Sequence, residues 1–586
     1  MITALLSMIG PVRQAQLQDE EGFSGAKTWR RKTPQKCASR RSNEIVIKPG
    51  LKSFTLVRAA EDGVSVLDFT ATERESPWNY FQNHGTTAGQ LALIASVFLT
   101  ISLLSSYAIS YFQSELGDLP GPMLARFTLL WKVWVHIKGD GHVVYQNLHK
   151  RYGPIVRTGP NSVSIGDAAM IPKIYLSGHS YLKSSDLAPF TFMIDGKSVE
   201  SMFTTQDPAL HKVLKSAVAS KYSLSSMLQL EPLFDKCMPL FVTEMDKRAG
   251  LAVDFGSWCS WYSFDLTGLL SFQELFGFME QAKDINGVIE SSWSFMSYGT
   301  LIGQYPYLHK YLLGNPCLVQ FLDSISNANP MRLITETARV AIDKYDEKST
   351  DLRGDFLDYL RQKQLKNPYI MTDRDLINNI LIFFVGAVNT NSASLRACFY
   401  YLVKTPYTYA KLVRELQDAD AKGLLSETLS FTEGQKLPYL QACIKDALRM
   451  YPIVGTPFDR VVPKGGAILS GYFVPEGTVV GISGWVTQRD KGVFGDDAES
   501  FRPERWLDAD EKQVRVMDRS MLAFGQGTRG CVGKHVAMMA LTKTVGQIVR
   551  VFDMEWAAPG EEWALTCRQH VRQTRVIMRL NRRQTQ

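Results

Sequence analysis

No aspartate, glutamate, lysine or arginine occurs between Ser76 and Ser114, and within that window Leu91 to Phe112 is a run of about 22 apolar and small residues. A helix needs about 20 such residues to cross a bilayer, because every amide must be bonded within its own segment there. The run therefore reads as a membrane-spanning helix rather than a buried core helix. Leu119-Pro-Gly-Pro122 follows, a stiff bend suited to holding a folded body at a set angle to its anchor. Arg74 is offset by Glu75 on one side of the span, whereas Arg126 and Lys132 follow on the other. That bias places the downstream chain in the cytosol. Residues 1–75 carry a basic cluster, Lys27, Arg30, Arg31, Lys32, Lys36, Arg40 and Arg41, with no apolar periodicity. They read as a disordered extension, with a targeting segment as the alternative.

A chain of 586 residues could hold about four average domains, but no linker interrupts residues 119–580. One large body is the simpler reading. Hydrophobic residues at 45% and charged residues at 21% leave ample material for its core. The formal charge of +7 points to acidic partners or anionic lipid. Nucleic acid is not expected, since no dense Lys/Arg patch alternates with aromatics. The eight cysteines are scattered without a C-x-x-C pair, which excludes a disulfide scaffold and a zinc module and favours a reducing compartment. Cys531 and His535, at i and i+4, lack the second ligand pair a zinc site needs.

Helical periods dominate downstream. Thr372 with Asp375 resembles a capping box and Pro406 ends the run, predicting a helix over Asp373–Lys404. Pro438 opens another that stops before Pro452. Between Arg460 and Val480, Gly465-Gly466, Gly471 and Pro475-Glu-Gly477 punctuate short β-type pieces. The apolar stretch Val532–Val551 reads as a further helix.

Immediately before it lies Phe524-Gly-Gln-Gly-Thr-Arg-Gly-Cys531-Val-Gly533. A thiolate is a strong soft ligand for iron and is better stabilised near a helix N-terminus. Gly525, Gly527 and Gly533 let the backbone approach a flat cofactor closely, and Arg529 offers a planar fork suited to a carboxylate. The pattern F-x-x-G-x-R-x-C-x-G, met by Phe524, Gly527, Arg529, Cys531 and Gly533, resembles the haem-ligand loop of the cytochrome P450 (haem-thiolate monooxygenase) family. The resemblance runs from about Leu119 to Leu580, and a Pro/Gly hinge after an N-terminal anchor also fits membrane-bound members.

The resemblance implies a mainly α fold with small β-sheets, the cytochrome P450 fold, preceded by an N-terminal transmembrane helix. It implies haem b (iron protoporphyrin IX), with Cys531 as the metal ligand and Arg529, Phe524, Gly533, His211, Lys215 and Arg460 as cofactor-binding positions. Of these, His211 and Lys215 depart in type from the family's W-x-x-x-R helix, yet both keep a donor. Thr390 matches the threonine that delivers protons to dioxygen. Asn389 stands where an acid is usual and cannot cycle a proton as a carboxylate does. Asp446, Arg449 and Arg505 resemble the buried E-x-x-R triad, with an aspartate one methylene short, which predicts a shifted backbone or an inserted water. Ala540 replaces a customary acid and Gln488 a common histidine.

The overall wording is similar to fungal microsomal members akin to pisatin demethylase. The implied activity is insertion of one oxygen atom of dioxygen into a hydrophobic small molecule of secondary metabolism, by hydroxylation or demethylation, at the endoplasmic reticulum membrane. Implied partners are an NADPH-dependent flavoprotein reductase, with or without a haem electron-carrier protein, and membrane lipid. Two alternatives stay open: a haem-thiolate rearrangement enzyme independent of NADPH and dioxygen, and a haem-binding protein with degenerate catalysis.

Overall fold

The computed structural model describes residues 54–60, 63–69, 77–112, 115–176, 180–325, 329–348 and 354–584. The chain divides into two units, Arg13–Ile109 and, with Met1–Val12, Ser110–Gln586. In the former, Phe54–Ala60 and Gly63–Phe69 pair as an antiparallel hairpin, a regular element inside the extension expected to be disordered. The basic cluster from Lys27 to Arg41 lies outside the described residues. A helix over Pro77–Phe112 begins well before Leu91, because Pro77 is preset for a first helical turn and no further proline interrupts the segment. Its Leu91–Ile109 portion is long and apolar enough to cross a membrane, with Leu91, Ile94, Phe98 and Leu99 exposed.

The larger unit is mainly helical with small sheets. Its five-stranded sheet runs in the order Ile155–Gly159, Ser162–Ile165, Val479–Ile482, Arg460–Val461, Leu182–Lys183. A three-stranded sheet joins Phe552–Trp556, Ile577–Arg582 and Ala252–Asp254. The Gly-punctuated stretch forms Arg460–Val461, the hairpin Ala467–Leu469 with Tyr472–Val474, and Val479–Ile482.

The Asp373–Lys404 helix is the spine of this body. Thr372 Oγ1 accepts the Asp375 N–H and Asp375 Oδ2 accepts the Thr372 N–H, at 3.3 and 3.0 Å, which closes the capping box. Ile380, Leu381, Phe384, Leu395 and Phe399 are buried along it, each contributing roughly 1.5–3 kcal/mol by removal from water. It packs on Phe255–Phe272, Pro438–Met450 and Lys534–Val551.

On the Pro438–Met450 helix, Asp446 and Arg449 have no exposed surface. Arg449 Nε and Nη2 donate to Asp446 Oδ1 and Oδ2 at 2.6 and 3.2 Å. Trp506 Nε1 donates to Oδ1 at 3.0 Å and the Arg502 N–H to Oδ2 at 2.7 Å. Arg505 Nε stands 3.1 Å from the same carboxylate. The shorter acid thus bonds directly to Arg449, Trp506 and the Arg502 amide, while Arg505 stands in ion-pair range with its Nε unbonded. Arg449 spends its remaining donors on the carbonyls of Gln488, Ala498 and Ser500. Gln488, also without exposed surface, donates to the Leu448 and Arg449 carbonyls and accepts the Leu522 N–H at 2.6 Å. The triad helix is thereby tied to the start of the cysteine loop.

Removing one member of a buried ion cluster leaves the other charges uncompensated. Asp446→Ala should therefore cost about 3–5 kcal/mol, measured by denaturant unfolding. Because the cage closes on the shorter acid, Asp446→Glu should overpack it and cost about 1–3 kcal/mol. A glutamate variant more stable than the parent would show that the cage has spare room.

Candidate active site

The loop before the Lys534–Val551 helix is held by backbone. Cys531 N–H donates to the Phe524 carbonyl at 2.8 Å, which folds the loop back on itself. The first helical residue is Lys534, with Gly533 at the N-cap, rather than Val532. At Gly527 φ is +70° and a Cβ would stand 2.0 Å from the Tyr175 carbonyl oxygen. Only glycine fits that approach.

Cys531 is exposed, yet the surface it meets is the wall of a cavity. Surrounding protein pushes its thiol pKa up, opposed by the Gly533 N–H, Lys215 and Lys534. The cavity encloses about 1880 Å³ of space, its open mouth included. Thr390 lines it, with Oγ1 donating to the Gly386 carbonyl. At Gly386 a Cβ would meet nothing within 4 Å, so the spine helix borders open space there. Asn389 does not line the cavity. It is buried, and its Nδ2 donates to Ser292 Oγ at 2.6 Å. Ser392 Oγ likewise turns to the Asn389 carbonyl, whereas Asn391 and Ser394 line the cavity.

The other positions singled out in sequence converge on the same space. Asp207 caps the Pro208–Val218 helix by accepting the Ala209 N–H at 2.8 Å. Its i, i+4 pair His211 and Lys215 both line the cavity, and Lys215 Nζ donates to the Thr528 carbonyl at 2.7 Å. Arg529 donates to the Thr205 and Gln206 carbonyls at 2.8 and 3.3 Å. Arg460 lies over the Tyr175 ring, 5.1 Å from its centroid. Among the described residues the lining includes Lys215, Arg460 and Arg529 but no carboxylate. Burial and the neighbouring Arg460 lower the Arg529 pKa, with Asp207 opposing. Cations gathered without acids beside a thiol suit a flat ligand that carries carboxylates and a thiolate-binding metal. Among the described residues no three His, Cys, Asp or Glu side chains group as a metal site.

Residues 120–576 match the sequence profile of the family Cytochrome P450. The chain belongs to the cytochrome P450 family. Cytochrome P450 monooxygenase cicH of Emericella nidulans is 32% identical over 501 residues, covering 84% of this chain and 99% of that protein. A cytochrome P450 monooxygenase of Aspergillus terreus is 34% identical over 483 residues, covering 80% and 96%. Cytochrome P450 monooxygenase mpaDE of Penicillium brevicompactum is 34% identical over 486 residues, 80% of this chain but 55% of that longer protein. The cytochrome P450 is thus an oxidoreductase of the monooxygenase type, and its family cofactor is haem b.

Cys531, Arg460, Arg529, Lys215 and His211 share the lining of this one cavity. Motif reasoning did not reach the apolar wall, which includes Phe190, Phe192, Phe203 and Phe295, or Asn391, Ser394 and His570. These side chains come from separate segments, and no spacing in the sequence joins them.

Proposed function

We propose that this cytochrome P450 inserts one oxygen atom of dioxygen into a hydrophobic small molecule of secondary metabolism, by hydroxylation or demethylation. The observation that carries this reading is that Cys531 and Thr390 line one cavity whose remaining wall is largely apolar. Haem b, when bound, supplies the activation of dioxygen, with electrons from an NADPH-dependent flavoprotein reductase. Phe524, Gly527 and Gly533 hold the thiol in place, and the cation group binds the cofactor's carboxylates. The apolar wall excludes water and strengthens electrostatic effects inside. Thr390, whose hydroxyl hydrogen rests on Gly386, keeps lone pairs that accept a hydrogen bond from a water and so position that water as the proton donor. Asn389 acts on it only through helix position. The protein is held at the endoplasmic reticulum membrane by the Leu91–Ile109 segment, with the catalytic body in the cytosol.

Cys531→Ala should abolish the thiolate-type red-shifted band that the reduced carbon monoxide complex gives, while a retained band would place the ligand elsewhere. Positioned proton donors contribute about 10²–10⁴-fold. Thr390→Ala should therefore lower product formation by about 10² or more, with NADPH oxidation diverted to hydrogen peroxide. Asn389→Asp, away from the cavity, should leave product per NADPH unchanged. Product formed without NADPH, at a ratio insensitive to Thr390→Ala, would instead favour the rearrangement reaction. Full-length protein should resist alkaline carbonate extraction, and a chain beginning at Leu119 should move largely to the soluble fraction.

A further inference from the structure

Within the cavity wall, away from the cysteine loop, one side chain has hydrogen-bonding capacity that the protein does not use. His570 lines the cavity at the tip of the hairpin Ala564–Cys567 with Val571–Thr574. Its backbone is held from three directions. Val571 N–H donates to the Ile453 carbonyl at 2.8 Å, Gly455 N–H donates to the Gln569 carbonyl at 2.9 Å, and Gln569 N–H donates to Thr300 Oγ1 at 2.9 Å. Gln573 Nε2 donates to the Ala393 carbonyl at 2.8 Å, which sets this tip beside the 390–394 turn of the spine helix.

The imidazole itself is unpartnered. Nδ1 is sealed in protein without a hydrogen bond, and among the described residues Nε2 has no protein partner either, which leaves it as the nitrogen with access to the cavity. Burial alone lowers the His570 pKa to about 4, so the ring is neutral at physiological pH. On the neighbouring turn, Asn391 also lines the cavity, but its Nδ2 donates to Ser263 Oγ at 3.3 Å and its Oδ1, like His570 Nδ1, is sealed in protein. The surrounding wall, including Leu266, Leu270, Phe295, Ile453 and Val454, is apolar. Buried polar groups in native proteins are almost always paired, and an unpaired one favours any ligand that completes it.

We infer that His570 is a specificity-determining residue that takes an uncharged hydroxyl of an otherwise apolar substrate. The inference rests on the monooxygenase reading of this cavity and names its substrate class. A carboxylate would need a cation, and Lys215, Arg460 and Arg529 belong to the cysteine-loop side of the site. A carbonyl oxygen only accepts and would suit only the tautomer that carries its hydrogen on Nε2. A hydroxyl both donates and accepts, so it matches either imidazole tautomer.

The test uses detergent-solubilised holoprotein and two matched pairs, 1-naphthol with naphthalene and 4-phenylphenol with biphenyl. Binding is read by the haem spin-state shift and, independently, by equilibrium dialysis. The parent protein should bind each hydroxylated partner about tenfold more tightly than its hydrocarbon. His570→Phe should abolish that preference while hydrocarbon affinity stays within about threefold, and His570→Gln, which keeps a donor and an acceptor, should retain part of it. Equal binding within both pairs in the parent, or an undiminished preference in His570→Phe, overturns the inference. Dialysis needs neither electrons nor dioxygen, so loss of NADPH-dependent product with the preference intact would count against the monooxygenase reading alone.

Discussion

The Asp446 carboxylate, with no exposed surface, gathers the Arg449 and Arg505 guanidiniums, the Trp506 indole N–H and the Arg502 amide. Through Arg449 and Gln488 that cluster reaches the carbonyls of Ala498 and Ser500 and the amide of Leu522, where the cysteine loop starts. A carboxylate removed from water is tolerable only when it is paired and its oxygens accept hydrogen bonds, which here come from Arg449, Trp506 and the Arg502 amide. The cluster therefore permits one arrangement of the Pro438–Met450 helix, the Phe494–Trp506 segment and the loop. The thiol's position depends on it although none of these charges touches the cavity. Gln488, in place of a common histidine, serves the junction by using both its amide hydrogens and its oxygen.

The cavity divides its chemistry by wall. Cations and the thiol come from the Pro208–Val218 helix, Arg460 and the cysteine loop, while the spine helix and the hairpin tip bring hydroxyl, amide and neutral imidazole groups among aromatics. Keeping carboxylates out of the lining preserves the cations for an anionic cofactor. Keeping charge off the other wall favours uncharged, apolar ligands, since an unpaired ion in that setting would be strongly disfavoured.

Much of this was legible in sequence where a single local rule governs. The capping box at Thr372 and Asp375, the proline that opens Pro438–Met450, and the β-type pieces around Gly465 and Gly471 follow from hydrogen-bonding and φ preferences of a few adjacent residues. Thr390, Arg460, Arg529 and Cys531 were recognisable by residue type and position, His211 and Lys215 by position alone, and all six line one cavity. Asn389 carried the same kind of signal, but helix rotation turns it to Ser292 instead. One residue along a helix is a rotation of about 100°, so adjacent positions face different surroundings. At Asp446, where a shifted backbone or an inserted water was expected, Arg449, Trp506 and the Arg502 amide bond the shorter acid directly.

The sequence by itself determined the element types, the apolar segment at Leu91–Ile109, and the thiol set among glycines at the head of a helix, since each rests on contacts between near neighbours in the chain. Only the tertiary structure decided which residues share the cavity, why its lining holds cations but, among the described residues, no carboxylate, and why the His570 imidazole stands unpaired in its wall. Those relations join segments as far apart as Phe190 and His570. They follow from how the spine helix, the hairpin and the cysteine loop pack together, and packing leaves no mark in the spacing of residues along the chain.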